Sequence, residues 1–328
     1  MDTTIITNIA VLTSGGDAPG MNAAVRAIVR SGAAHGIEII GIRRGYAGLC
    51  QGEITLLNPR SVANILHRGG TFLETSRHPE MKTVEGRKKA IETLNRNGIE
   101  GLVIIGGDGT MQGAAALARE CSVPIICVPS TIDNDIYGTD YTIGFDTAVN
   151  TAVSAIDKIR DTAESLPRLF FIEVMGREHG FLSLEVGVAC GADAVLYPEM
   201  GSNHLDILCQ TLSGSLRRGK LSPIIVVAEG EAPGGAVEVA QKVKARLGID
   251  YRVCVLGYIQ RGGPPTARDR ILASKLGAAA VEALLKGKKG CLVGEQNCTI
   301  ELTPIEEALS KPKAMDSSKV QLANMLAI

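Results

Sequence analysis

The 328-residue chain has no run of about 18 apolar residues, so its sequence offers no membrane-spanning helix. The first residues lack a basic stretch followed by a long apolar core, and no signal peptide is expected. No basic tail and no long run of one charge sign are present. Lys and Arg number 34 against 35 Asp and Glu, a formal net charge of −1. That balance argues against nucleic acid or a membrane surface as the main partner. The eight cysteines are scattered, form no CxxC pair, and in several cases (Cys127, Cys190, Cys254) sit in apolar runs. They read as reduced core thiols of a cytosolic protein, not as a disulfide framework. Five scattered histidines give no zinc signature. No short repeat is found, which excludes a solenoid. No Gly/Ser/Pro-rich linker marks a domain boundary.

What is present is the composition of a globular enzyme, 45% hydrophobic and 21% charged, long enough for two domains. Apolar β-branched runs alternate with amphipathic stretches. Strands are predicted at Ile9–Leu12, Ile37–Ile42, Leu102–Ile105, Ile125–Val128, Leu169–Val174, Ala194–Tyr197, Ile224–Ala228 and Arg252–Leu256. Helices are predicted at Met21–Ala34, Glu85–Asn97, Met111–Arg119, Thr147–Thr162, Leu205–Ser213, Ala236–Leu247 and Asp269–Leu285. This order implies βαβ units and mostly parallel sheets with helices on both faces. The strands exceed what one such sheet usually holds, so two α/β domains are expected. The helix at Thr147–Thr162 is the expected crossing, with a return to the first domain near the end of the chain.

Three loops at predicted strand ends carry the chemistry. The first, Thr13-Ser14-Gly15-Gly16-Asp17-Ala18-Pro19-Gly20, offers backbone N–H groups and a helix N-terminus to an anion. It is not a Walker A loop, because no Gly-Lys-Ser/Thr follows, and a plain strand-to-helix turn is the alternative. The second, Gly106-Gly107-Asp108-Gly109-Thr110, places a carboxylate among small residues, suited to a Mg²⁺ that bridges phosphate oxygens. The alternative is a helix cap at Asp108. The third, Pro129-Ser130-Thr131-Ile132-Asp133-Asn134-Asp135, holds two carboxylates two residues apart. In an extended segment both project to one side, one as general base and one as metal contact. A surface turn is the alternative. Arg77, Arg168, Arg177, Arg252 and Arg261 lie at strand ends or in loops and suit bidentate phosphate contacts. Singly, each would read as a solvated or salt-bridged surface residue.

The motifs SGGDAPGMNA, RGGT, IGGDGT, TIDNDI, GTDYTIGFDTA, EVMGR and QRGG, in this order, resemble the bacterial ATP-dependent 6-phosphofructokinase family. The resemblance runs from about Ile9 to about Val293. It implies an α/β fold of two doubly wound, mostly parallel Rossmann-like domains, with the active site in the cleft between them. It assigns residues 1–145 plus about 255–305 to a nucleotide-binding domain, and 146–254 plus the C-terminal helices to a substrate-binding domain. It implies a cytoplasmic, glycolytic homotetramer that transfers the γ-phosphoryl of Mg²⁺-ATP to the 1-hydroxyl of fructose 6-phosphate.

Carried over residue by residue, Asp133 would be the general base, with Thr131, Arg77 and Arg177 beside the transferring group. Gly16, Tyr46, Arg77, His78, Gly107, Asp108, Gly109 and Thr110 would line the nucleotide site, and Asp108 with Asp135 would hold Mg²⁺. Met175, Gly176, Arg177, Glu229, Tyr258 and Arg261 would hold the sugar phosphate. Arg168 and Arg252 would reach its 6-phosphate from a neighbouring subunit. An effector site for ADP or phosphoenolpyruvate would map onto Arg26, Arg30, Arg160, Asp193, Arg218 and Lys220.

The chain departs from the family pattern at several positions. Ser130 stands where Gly is usual, and Tyr258 where His is usual. Leu166-Pro167 replaces polar residues before Arg168. Pro59 and Ser222 replace basic residues of the effector site, and Asp193 replaces Glu. Pyrophosphate-using relatives pair Lys at position 130 with Asp at position 109. This chain has Ser130 and Gly109, so ATP is the expected donor and pyrophosphate the alternative. A Rossmann dehydrogenase needs G-x-G-x-x-G, whereas the loop at Gly107 has one residue too many before its third glycine. A non-catalytic nucleotide sensor would leave Asp133 unexplained.

Overall fold

The structure is a computed structural model and describes residues 6–76, 78–165, 168–201 and 203–327. Continuous apolar runs cannot tolerate water on either face, and here they become the interior strands of two sheets. The first part of the chain forms β1 (Asn8–Thr13), α1 (Met21–Ala34), β2 (Glu38–Ile42), α2 (Gly45–Gln51), β3 (Ile54–Leu57), α3 (Val84–Arg96), β4 (Leu102–Gly106), α4 (Asp108–Glu120) and β5 (Ile125–Pro129). The long helix α5 (Phe145–Ser165) leads into β6 (Leu169–Val174), α6 (Phe181–Cys190), β7 (Ala194–Leu196), α7 (His204–Arg217), β8 (Ile224–Ala228), α8 (Gly235–Leu247) and β9 (Tyr251–Val255). The chain ends with α9 (Ala267–Leu285), β10 (Cys291–Gln296), β11 (Thr299–Pro304), α10 (Ile305–Ser310) and α11 (Ser317–Leu326).

Two compact units result. The first contains Met1–Thr131, Asp135–Asp146 and Arg261–Lys313; the second contains Ile132–Asn134, Thr147–Gln260 and Ala314–Ile328. The first unit holds a seven-stranded sheet in the order β11-β10-β5-β4-β1-β2-β3. Its inner strands are parallel, while β3 and β11 pair antiparallel at the two edges. From β1 the chain winds to one side through β2 and later to the other through β4. The reversal lies between β1 and β4, where an open parallel sheet forms its ligand crevice beyond the carboxyl ends of the strands. The second unit holds a wholly parallel sheet in the order β7-β8-β6-β9. Here β6 is the strand from which the chain departs to both sides.

Each sheet is covered by its own core. In the first unit Leu12, Ile42, Leu94, Leu102 and Leu117 are fully buried together. In the second, Phe171, Leu212, Ile225 and Val243 are. Helix starts follow side-chain caps where the chain supplies them. Thr83 accepts from the Gly86 N–H to open α3, and Thr266 from the Asp269 N–H to open α9. Asp269 is itself buried and accepts from the Gly144 N–H at 2.9 Å, fixing the segment just before α5.

All the strands and helices predicted from the sequence are present, with ends shifted by a few residues. Elements left out of that reading have separate reasons. β3 is a short edge strand of mixed exposure, and α6 is apolar with little face preference. The β10–β11 hairpin turns on Asn297 and Cys298, both at positive φ (48° and 64°), where no glycine signals the turn. The cysteine reading needs correction. All eight are free, but only Cys127 is buried; its thiol is pushed up to about 12 by burial. Cys190 and Cys254 are half-buried, and Cys298 is exposed at the hairpin tip. Among the described residues no helix is long and apolar enough to cross a membrane.

Candidate active site

In the first unit, the loops after β1, β4 and β5 converge because these strands are neighbours. The Ser14 N–H donates to the Ile105 carbonyl at 3.0 Å, and the Ser130 N–H to the Gly106 carbonyl at 2.9 Å. Thr110 is the hub. It is buried, and its hydroxyl lies where a side chain on Gly15 or Gly106 would have to go. A Cβ on Gly106 would also sit 2.6 Å from the Ser14 carbonyl oxygen, so only glycine permits this close approach. A Cβ on Gly109, by contrast, meets nothing within 4 Å. The second loop is therefore tight on its inner side and open on its outer side.

Gly107, not Asp108, occupies the N-cap position of α4. Asp108 is the first helical residue, exposed, and accepts from Gln112 Nε2 at 2.7 Å. The helix-cap alternative for Asp108 is thus not realised. Tyr46 is displaced from the role given to it by resemblance. Its ring is buried in the core, its hydroxyl donates to the Thr110 carbonyl at 2.6 Å, and burial raises its pKa well above the ordinary tyrosine value. It braces the first turn of α4 from behind. The His78 ring is largely buried, with Nε2 3.8 Å from Glu80 Oε2. Arg77 and the Leu166-Pro167 pair lie outside the described residues.

The third loop also differs from the expectation. Asn134 has φ +53°, so Thr131–Asp135 is not extended and the two carboxylates do not share a face by alternation. Asp133 is buried and groups with the second unit, while Asp135 groups with the first. Oδ1 of Asp135 is buried without a hydrogen-bond partner among the described residues, although an ionised carboxylate accepts on both oxygens. The Ser130 hydroxyl turns back to the Ile143 carbonyl at 3.3 Å and does not project from the loop.

In the second unit, the loop after β6 carries Met175-Gly176-Arg177. Arg177 adopts φ +53°, a conformation costly for a long side chain and common at functional sites. Its Nε lies 3.3 Å from Asp133 Oδ2, and its N–H donates to Glu229 Oε1 at 2.8 Å. The Met175 N–H donates to Oε1 of Gln260, a fully buried residue. Gln260 belongs to the QRGG motif, but nothing in that motif singles it out; its burial and its bond to Met175 reveal a positioning role. Arg261 is found in the first unit, where Nη2 donates to Asp17 Oδ1 at 2.8 Å and Nε to the Asp17 carbonyl at 3.2 Å. Within its own unit it is thus engaged with the first glycine loop.

Two further arginines lie at the opposite end of the second sheet. Arg168 precedes β6, and Arg252 is the second residue of β9, in register with Phe170. A six-residue strand spans roughly 17 Å, so these groups sit far from the Arg177 end of β6. Tyr258 is 77% exposed.

The residues expected in an effector site are distributed. Arg26 and Arg30 lie on α1. In the second unit Arg160 Nη2 donates to the Cys190 carbonyl at 2.6 Å, and Arg218 Nη2 to Ser215 Oγ at 3.3 Å. Asp193 is fully buried, accepts from the Ile224 N–H at 2.8 Å and pairs with Lys220. A carboxylate held in this way ties β7 to β8.

Against known proteins, the phosphofructokinase family model matches residues 8–284. The chain belongs to the phosphofructokinase family. It is 57% identical to the ATP-dependent 6-phosphofructokinase 1 of Thermus thermophilus, with 98% of this chain and 99% of that one covered. Among solved structures it is similar to phosphofructokinase from Saccharomyces cerevisiae, with a TM-score of 0.88 and 36% identity over 92% of this chain. This chain spans 45% of that yeast chain. It also matches a pyrophosphate-dependent phosphofructokinase from Marinobacter aquaeolei at TM-score 0.84, with 98% of this chain and 92% of that one covered. Identity there is only 23%, a likeness of fold alone. Within the phosphofructokinase family, the two-unit α/β architecture and the phosphotransferase class with an alcohol acceptor follow.

Proposed function

We propose that this phosphofructokinase transfers the γ-phosphoryl of ATP to the 1-hydroxyl of fructose 6-phosphate. The observation that carries the reading is the Asp133–Arg177 pair: a buried carboxylate beside an arginine held in a strained backbone conformation. Asp133 accepts the proton of the attacking hydroxyl, because an un-ionised alcohol is a poor nucleophile near neutrality. Arg177 orients that carboxylate and neutralises charge that develops on the transferring group. Arg77 and Thr131 are assigned to the same task.

The first unit is read as nucleotide-binding, through Gly16 and the Gly107–Thr110 backbone, and the second as substrate-binding. Met175, Gly176, Arg177 and Glu229 are assigned to the sugar phosphate. Tyr258, exposed and able to donate one hydrogen bond, and Arg261 are assigned there as well. The residues present fit Mg²⁺: Asp108 is exposed at the start of α4, and Asp135 offers an orphaned buried oxygen. One or two carboxylates plus phosphate oxygens is the usual provision for this ion. Mg²⁺ so held would offset negative charge on the donor phosphates.

Arg168 and Arg252 lie a strand length from Arg177, which favours their acting on the 6-phosphate of a neighbouring subunit's substrate within a homotetramer. A cytoplasmic location fits enzymes of soluble sugar phosphates. An effector such as ADP or phosphoenolpyruvate is assigned to Arg26, Arg30, Arg160 and Arg218, without a carboxylate from Asp193.

ATP is preferred over pyrophosphate because Gly109 leaves open space and Ser130 keeps its hydroxyl on Ile143. The test is a coupled assay of fructose 1,6-bisphosphate formation with either donor. Turnover with ATP and little with pyrophosphate is expected; faster turnover on pyrophosphate would overturn the donor assignment.

A further inference from the structure

The loop that follows β8 carries Glu229, which accepts the Arg177 N–H, and two residues later Glu231, whose side chain is only 1% exposed. Glu231 Oε1 lies 2.9 Å from His204 Nε2, and neither carboxylate oxygen has another hydrogen-bond partner among the described residues. The His204 Nδ1 lies 2.7 Å from the Gly201 carbonyl, an acceptor only, so Nδ1 carries a hydrogen. A hydrogen bond between Nε2 and Glu231 then needs one more proton, on either partner. Without it, a nitrogen lone pair faces a buried carboxylate.

Between the two glutamates, Gly230 packs directly on the backbone of Arg177 and Glu178. A Cβ at this position would overlap the Arg177 carbonyl oxygen. The contact leaves no slack, so a shift of Glu231 reaches Arg177 through one residue.

We propose that His204 and Glu231 share a proton and act as a strut that positions the Glu229–Glu231 loop against Arg177. Both are positioning residues, since neither touches the groups assigned to the substrate. The kinetic consequence rests on the phosphofructokinase reading: the strut tunes fructose 6-phosphate binding and is released as pH rises. The surrounding charged groups act in both directions, and burial outweighs the cations. They are His204 at the start of α7, Glu199 in the turn Pro198–Met200, His179 at 3.5 Å from Glu199, Glu229 on the same loop, Arg177 and Glu178 behind Gly230, and Glu238 in the first turn of α8. Burial raises the Glu231 carboxyl, His204 opposes that shift and Glu199 adds to it, so the proton is retained above the ordinary carboxylate range and lost as pH climbs through the raised value.

Two measurements test the strut on the full-length protein. Amide hydrogen exchange at residues 229–234, corrected for intrinsic base catalysis, is followed from the ordinary carboxylate range up through neutrality. Protection is expected to fall with pH in the native chain but not in Glu231→Gln, whose amide can donate to Nε2 without a titrating proton. In steady-state kinetics, KM for fructose 6-phosphate should rise on the order of fivefold over that range, with KM for ATP unchanged. Glu231→Gln should flatten the profile, while Glu231→Ala and His204→Ala should raise KM at every pH. If the exchange responds but fructose 6-phosphate is not phosphorylated, the functional reading fails and the strut stands. If Glu231→Ala or His204→Ala leaves protection unchanged, or Glu231→Gln keeps the native pH dependence, the strut is refuted.

Discussion

The ends of the two sheets are built from different materials. Beyond β1 and β4, the first unit presents backbone and small side chains, pinned by Thr110 and spaced by Gly106. Beyond β6 and β8, the second unit presents charged side chains, with Arg177 clasped by Asp133 and Glu229 and the chain held by buried Gln260. A backbone surface suits oxygens shared by every phosphate, whereas a set of charged side chains suits one particular substrate. The inner side of the first should not tolerate added volume, nor its outer side a negative charge facing phosphate. The second should not tolerate loss of its charges.

Outside the proposed base itself, the largest departure is expected from breaking the backbone surface with both charge and bulk. Ser130→Lys with Gly109→Asp puts a carboxylate where Gly109 now faces open space. Repulsion between that carboxylate and a phosphate is on the order of 1–4 kcal/mol, or roughly 5- to 1000-fold in kcat/KM for ATP. Steady-state kinetics with ATP checks this, and unchanged ATP kinetics would remove Gly109 from the donor site.

Next in size is the loss of one cation from the second unit. Arg252→Ser should raise KM for fructose 6-phosphate by roughly 10- to 100-fold, the usual range for a lost charge-assisted hydrogen bond, and leave KM for ATP nearly unchanged. Mixed with an Asp133→Ala chain, it should regain part of its activity in hybrid oligomers. Equal losses for both substrates, or a monomer by sedimentation, would count against a role across subunits.

The smallest effects separate tight from open glycines. Gly106→Ala must move the Ser14 carbonyl and should cost about 1–3 kcal/mol of stability in thermal or denaturant unfolding. Gly109→Ala meets no protein atom and should change stability by less than about 0.5 kcal/mol, while raising KM for ATP. Equal stability losses would mean that the two sides of this loop do not differ as described.

The same contrast explains what the sequence could reveal. The backbone-built loops were legible because their residues are contiguous and follow apolar strands. The side-chain set was only partly legible. Arg177 finds its partners 52 residues away at Glu229, and Met175 finds Gln260 85 residues away. No local pattern announces such pairings. The motif that contains Gln260 pointed to Arg261 instead, which the fold turns toward Asp17. Tyr46 and Asp193 were drawn into ligand sites by position in a motif. Burial gives each a structural task, one bracing α4 and the other joining β7 to β8. The alternation argument for Asp133 and Asp135 failed at Asn134, where a left-handed residue interrupts the extended chain.

The proposed role of Asp133 is to remove the proton of the attacking hydroxyl. Asp133→Asn keeps size and shape but not basicity. Turnover and fructose 6-phosphate affinity should be measured on the same preparation, by coupled assay and by calorimetry. The expected result is a fall in kcat of about 10²–10⁴ with sugar-phosphate binding nearly intact. Native-like turnover in this variant, or a loss of binding large enough to account for the loss of rate, would contradict the account.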